Sequence, residues 1–130
     1  MTTFSIVVPV KPQPASRPRI SKFGSYYTQG YKDFRSETYR FLKKIRDDYP
    51  AEEGVFSVSV EFICKKPKKP TNPYPRGDVD NYLKGIIDSL VYAGMFFNDD
   101  IQITHMEGTK RYQEENEEVG MNITVRKLEG

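Results

Sequence analysis

Residues 55–94 read VFSVSVEFIC, then KKPKKPTNPYPRG, then DVDNYLKGIIDSLVYAG, and each of the three pieces carries a different pattern. In the first, Val55, Ser57, Ser59 and Glu61 alternate with Phe56, Val58, Val60 and Phe62, the period-two signature of a half-buried strand. The second is rich in lysine and proline and has no period, which predicts a mobile loop rather than a linker between domains. In the third, Leu83, Ile86, Ile87, Leu90 and Ala93 form one apolar stripe at helical spacing. Lys84, Asp88 and Tyr92 fall on another side, and Gly94 closes the helix.

Working outward, residues 3–10 (TFSIVVPV) are β-branched and aromatic enough for a first strand, stopped by Pro9, Pro12 and Pro14. Residues 16–28 read as an irregular loop or short hairpin turning at Gly24. Over 31–49, Phe34, Thr38, Phe41, Leu42, Ile45 and Tyr49 recur at helical spacing, and Pro50 ends that helix. Residues 101–112 and 119–128 alternate as two closing strands, joined by the acidic turn 114–118. The expected fold class is therefore α+β, a mixed β-sheet flanked by two helices in the order β-(hairpin)-α-β-α-β-β. At 130 residues, 37% of them hydrophobic, the chain has material for one core, so residues 1–130 are expected to form a single domain.

No apolar run approaches the roughly 20 residues a membrane span needs, and no charged-then-apolar leader opens the chain, so the expectation is cytoplasmic and free of membrane. Cys64 is the single cysteine; it excludes an internal disulfide and reads as a buried reduced thiol on a strand. The net charge of +2 conceals a segregation. Residues 11–46 hold ten basic residues against Asp33 and Glu37, a net of +8, and residues 65–76 add five more with no acid. Residues 99–118 hold seven acids against Lys110 and Arg111. A basic face set apart from its acids suits a polyanion whose condensed counterions are released on binding.

The chemistry gathers where the basic loop meets the second helix. Asp78 and Asp80 stand two residues apart, pointing the same way in extended backbone, roughly 7 Å apart at Cα. Asp80 or Asn81 also suits the N-cap of the helix. Lys84 follows Asp80 by one turn and Asp88 follows Lys84 by another, alternating charge along one face, where a plain surface ion pair is the structural alternative. Asp99 and Asp100 then interrupt apolar residues just before a strand. If that strand packs beside the one ending near Cys64, the acidic pair is expected at the same sheet edge as Asp78 and Asp80. Three carboxylates sharing one site require a cation, and an all-oxygen set without His or Cys selects Mg²⁺, with Mn²⁺ able to substitute. Such an ion suits phosphodiester hydrolysis, with Lys84 stabilising developing charge or orienting the attacking water. His105, a lone histidine on a strand, reads as structural.

Arg76-Gly77-Asp78-Val79-Asp80-Asn81-Tyr82-Leu83-Lys84, then Asp88-Ser89-Leu90, Ala93-Gly94 and Asn98-Asp99-Asp100-Ile101-Gln102, resemble the core signature of RusA-type Holliday junction resolvases. Residues 12–19, with Arg-Pro-Arg at 17–19, are similar to the family more weakly. The resemblance implies a homodimeric, Mg²⁺-dependent crossover junction endodeoxyribonuclease that cuts branched, four-way DNA by paired symmetric nicks in recombination and repair. It implies Asp78, Asp80, Lys84, Asp99 and Asp100 as catalytic residues, with Asp78, Asp80 and Asp100 as metal ligands. Expected DNA contacts are Arg17, Arg19, Lys22, Lys65, Lys66, Lys68, Lys69, Arg76 and Asn81, with Phe23, Tyr26 and Tyr27 as aromatic wedges. Many members come from temperate phages and prophages, which places the expected protein in a bacterial or phage-infected cytoplasm. Two departures stand out: the segment from Gly94 to the acids is one residue longer than in some members, and the family's arginine before the first Asp is Gly77, with Arg76 one place earlier. Other readings stay open: a broader flap or branched-DNA nuclease, a non-catalytic DNA-binding protein, and a structural Ca²⁺ site.

Overall fold

The alternating and helical periods translate into ten elements in the computed structural model, which describes residues 1–15, 19–22 and 24–129. They are β1 (Thr2–Val8), β2 (Arg19–Ser21), β3 (Gly24–Tyr26), α1 (Gln29–Ile45), a 3₁₀ turn (Arg46–Asp48), β4 (Val55–Cys64), α2 (Val79–Ala93), a second 3₁₀ turn (Asp100–Gln102), β5 (Ile103–Tyr112) and β6 (Gly120–Glu129). The α+β class, the mixed sheet and the element order agree with the sequence reading. Two local expectations shift. Gly24 pairs with Ser21 as the first residue of β3 instead of making the turn. The strand expected from residue 101 begins at Ile103, because Asp99 caps a 3₁₀ turn ahead of it.

Four strands form one sheet in the order β1-β6-β4-β5, and β2 and β3 form a separate hairpin. β6 runs antiparallel to both β1 and β4, whereas β5 runs parallel to β4 from Phe56↔Ile103 to Cys64↔Tyr112. Parallel pairing requires a crossover, and α2 supplies it. Aligned rows such as Ile6, Ile123 and Val60, or Val8, Met121 and Phe62, put the buried alternate positions on one side of the sheet. The apolar stripe of α2 packs on them, with Ile86 and Leu90 wholly buried. At about 1.5–3 kcal/mol for each such side chain, this stripe is what seats the helix. Gly108 on β5 lies directly beneath, and a Cβ there would stand 2.7 Å from Val79 Cγ1 and 2.9 Å from Leu83 Cδ1. α1 joins the same core through Tyr31, Phe34, Thr38 and Leu42. Among the described residues no helix is long and apolar enough to cross a membrane.

Candidate active site

Asp78 occupies the N-cap position of α2 with extended backbone (φ −81°, ψ 141°), yet its carboxylate makes no capping hydrogen bond. Instead its backbone carbonyl accepts from the Asn81 and Tyr82 amides. The cap thus falls two or three residues before the expected Asp80 or Asn81. Asp80 lies in the first turn, accepting from the adjacent Asn81 amide at 3.0 Å. Both carboxylates are exposed. Lys84 and Asp88 meet at 3.5 Å as the i, i+4 pair their spacing predicts, both well exposed and so of little consequence for stability.

The backbone leading into Asp78 is tied down by groups distant in sequence. Lys110 Nζ donates to the Pro75 and Gly77 carbonyls at 2.7 and 2.6 Å, the Tyr82 hydroxyl to Arg76 O at 2.6 Å, and the Tyr112 hydroxyl to Tyr74 O at 2.8 Å. The loop expected to be mobile is therefore held over 74–77. Gly77 adopts φ +94°, and a Cβ there would lie 2.9 Å from Pro14 Cγ, so only glycine fits between the amino-terminal segment and α2. That segment is anchored in turn by the Ala15 amide on Asn81 O at 2.9 Å.

At the other end of α2, Asp99 and Asp100 behave differently from each other. The Asp99 carboxylate caps the 3₁₀ turn by accepting from the Ile101 amide at 3.0 Å. That backbone donor, followed by a hydrogen bond with Asp100, holds the Asp99 carboxyl below its ordinary range. The same shared bond, then burial and the Asp99 and Asp88 charges, pushes Asp100 up, with Lys84 opposing. Gln102 fastens the whole segment: its Oε1 accepts from the Asn98 and Asp99 amides at 2.7 and 3.0 Å, and its Nε2 donates to Glu52 O and Gly54 O at 2.9 and 3.1 Å. The Asp99 carboxylate is engaged in capping the turn, whereas Asp100 has its shared bond with Asp99 and no cap to make.

These two groups do not meet within one chain. β5 does lie beside β4, as expected, but in parallel, so its first residues sit at the Val55 end of β4 while Asp78 follows from the Cys64 end. The position under Val79 is Gly108, five residues along β5 from Ile103, about 16 Å at the rise of a parallel strand. The α2 carboxylate that Asp100 senses is Asp88. Among the described residues no three Asp, Glu, His or Cys side chains are placed to hold a metal ion. The convergence of Asp78, Asp80 and Asp100 at one sheet edge is corrected accordingly. In kind the donors fit Mg²⁺, which takes one or two carboxylates together with waters and substrate phosphate, and in one chain Asp78 and Asp80, two residues apart and both exposed, can supply that pair.

Beside Asp78 opens a cavity of about 440 Å³ between the amino-terminal segment and the basic loop. Lys65, Lys69 and Arg76, expected to contact DNA, line it, together with Lys11 and Gln13, which sequence spacing did not single out. Lys66 and Lys68 are exposed outside it, and Asn81 is half-buried. Lys22 is exposed on the β2–β3 hairpin, while Arg17, Phe23 and the side chains of Arg19 and Tyr26 lie outside the described residues. Tyr27 packs edge-on against Tyr31 at 5.2 Å with Arg35 over its ring, which favours a packing role over a wedge. His105 meets Glu107 at 3.2 Å on the exposed β5 surface.

An α+β domain with a basic cavity at the start of a carboxylate-bearing helix belongs to a class suited to nucleic-acid phosphates. The model of the family described as endodeoxyribonuclease RusA matches residues 9–126, nearly the whole chain. The chain belongs to the RusA endodeoxyribonuclease family, whose membership implies endonuclease activity on DNA. No curated protein matches it.

Proposed function

We propose that this protein is a Mg²⁺-dependent Holliday junction resolvase that cuts four-way DNA by paired symmetric nicks in recombination and repair. The observation that carries the reading is the pair Asp78 and Asp80, exposed at the start of α2 with no capping duty for Asp78, at the mouth of a basic cavity in a chain of the RusA family. Asp78 and Asp80 would hold the ion, which when bound polarises the scissile phosphate and lowers the pKa of a water ligand. Arg76, Lys65 and Lys69 hold the phosphate backbone, and Lys84 offsets the charge that develops on phosphorus.

The separation of Asp100 from Asp78 and Asp80 supports a homodimer in which each site takes Asp78 and Asp80 from one protomer and Asp100 from its partner. The surface around Asp100 favours this. Ile101 is 83% exposed and Met106 54%, two large apolar side chains near the start of β5, whose outer edge pairs with no other strand among the described residues. Two copies related by a two-fold axis also offer two equivalent sites to the two equivalent strands of a junction.

A mixing experiment tests both parts. Asp80→Asn and Asp100→Asn proteins are each expected to bind a synthetic four-way junction without cutting it, losing more than the ~10–100-fold typical of outer-shell changes at metal sites. Unfolded and refolded together, they are expected to regain nicking, because one site of each mixed dimer is intact. Loss that persists in the mixture would sink the shared site while leaving the enzyme reading in place. Full cutting by Asp80→Asn alone, or binding with no cutting at any Mg²⁺ or Mn²⁺ concentration, would favour a DNA-binding module instead. A panel of flap and splayed-arm substrates distinguishes a broader branched-DNA nuclease.

A further inference from the structure

We propose that the cavity beside Asp78 is a subsite for one unpaired nucleotide of the cut strand, with the base inside against aromatic rings and the phosphate on the cationic rim. The inference rests on the branched-DNA reading and adds to it a place where a base leaves its stack. The rim carries Lys11, Lys65, Lys69 and Arg76, all exposed, and among the described residues no acid lines the cavity. The floor is of another character. It is made by Tyr82, Tyr112 and Cys64, and by prolines of the two flanking segments.

Both tyrosine hydroxyls are already committed to backbone carbonyls, Tyr82 to Arg76 O and Tyr112 to Tyr74 O, so these residues offer ring surface and not a polar end. Burial also pushes the Cys64 thiol up, keeping it protonated and apolar. A site for a bare phosphate has no use for an apolar floor, and a double-helical arm is too wide to enter about 440 Å³. A single nucleotide satisfies both halves: a planar π-face gains from aromatic contact whatever its sequence, and its phosphate gains from the lysines. The walls are preformed, since Lys110 grips the carbonyls on either side of Arg76 and Gly77 admits no side chain against Pro14. Occupancy one residue from Asp78 would hold the neighbouring phosphodiester next to the carboxylates.

Photocrosslinking tests this on the cleavage-deficient Asp80→Asn protein. Four-way junctions carry 4-thiothymidine either at a branch-point position or within a paired arm, and adducts are mapped by peptide mass spectrometry. The expected result is adducts on Cys64, Tyr82 or Tyr112, with a yield several-fold higher from the branch point than from the arm. Saturated junction binding with adducts only on rim lysines or other surfaces, or with none, would overturn the subsite. So would floor adducts formed by free 4-thiothymidine 5′-monophosphate but not by the junction. Absence of junction binding would instead remove the branched-DNA reading, and this inference with it.

Discussion

The two ends of α2 carry acids of the same sequence signature but are built by opposite means. At the amino-terminal end, Asp78 and Asp80 stand on a backbone held from afar: Lys110 and Tyr112 reach across from β5, and the segment at Pro14 leans on Gly77. At the far end, Asp99 and Asp100 stand on a turn held mostly by near neighbours, Asp99 capping Ile101 and Gln102 closing back on Asn98 and Asp99, with one long reach to Glu52 and Gly54. The first end is shaped by tertiary contacts and the second by capping chemistry that short sequence spacing can specify. The ends should therefore fail differently when perturbed.

The largest expected effect separates the adjacent acids. Asn caps a helix as well as Asp does, so Asp99→Asn should keep the turn and most junction cleavage, whereas Asp100→Asn should abolish cleavage with binding intact. Equal loss in both, read in a nicking assay, would mean that Asp99 does more than cap. Next comes the clamp of the far end. Gln102→Ala removes four hydrogen bonds from a partly buried amide and should cost about 2–3 kcal/mol in urea unfolding. It should also raise the Mg²⁺ concentration needed for half-maximal cutting more than it lowers the rate at saturating Mg²⁺. An unchanged Mg²⁺ requirement would confine Gln102 to folding.

At the near end, Lys110→Met should cost less, about 1 kcal/mol, because the ammonium is partly solvated in its clamped position. Its signature should be faster proteolysis over 65–77 with the Mg²⁺ dependence little changed. The smallest effect is a control belonging to neither end. Arg111 grips Glu117 through two hydrogen bonds of 2.6 and 2.7 Å, lowering the Glu117 carboxyl from 4.5 to about 2. A depressed folded-state value stabilises above the unfolded value and fades as pH falls through the folded one. The melting-temperature gap between the native chain and Glu117→Gln should therefore be full above about pH 4.5 and close towards pH 2. A gap that stays constant with pH would mean that this ion pair contributes nothing.

Much of the fold was legible in one dimension. Alternation over 55–62 and the stripe from Leu83 to Ala93 are direct images of β4 and α2, because periods of 2 and 3.6 are properties of the backbone. Gly94 at φ +76° closing α2 was readable for the same local reason. The cavity was half legible: the lysines of the basic loop announced themselves by density, but Lys11, Gln13, Tyr82 and Tyr112 join them only because the amino-terminal segment folds over α2. No spacing rule connects Lys110 to Gly77, 33 residues away, so the stiffness of the loop before Asp78 was invisible.

By itself, the sequence determined the residue types on which the proposed chemistry rests, an oxygen-rich acidic set with one lysine at helical spacing, and the class of sheet and helices that carries them. Only the tertiary structure decided where those residues stand relative to one another. A strand reached through a helical crossover must start again at the end where its parallel neighbour started, so Asp100 is returned to the Val55 end of β4 while Asp78 and Asp80 stay at the Cys64 end. Adjacency in a motif is a local fact, whereas meeting in space depends on chain direction, which local periodicity does not encode.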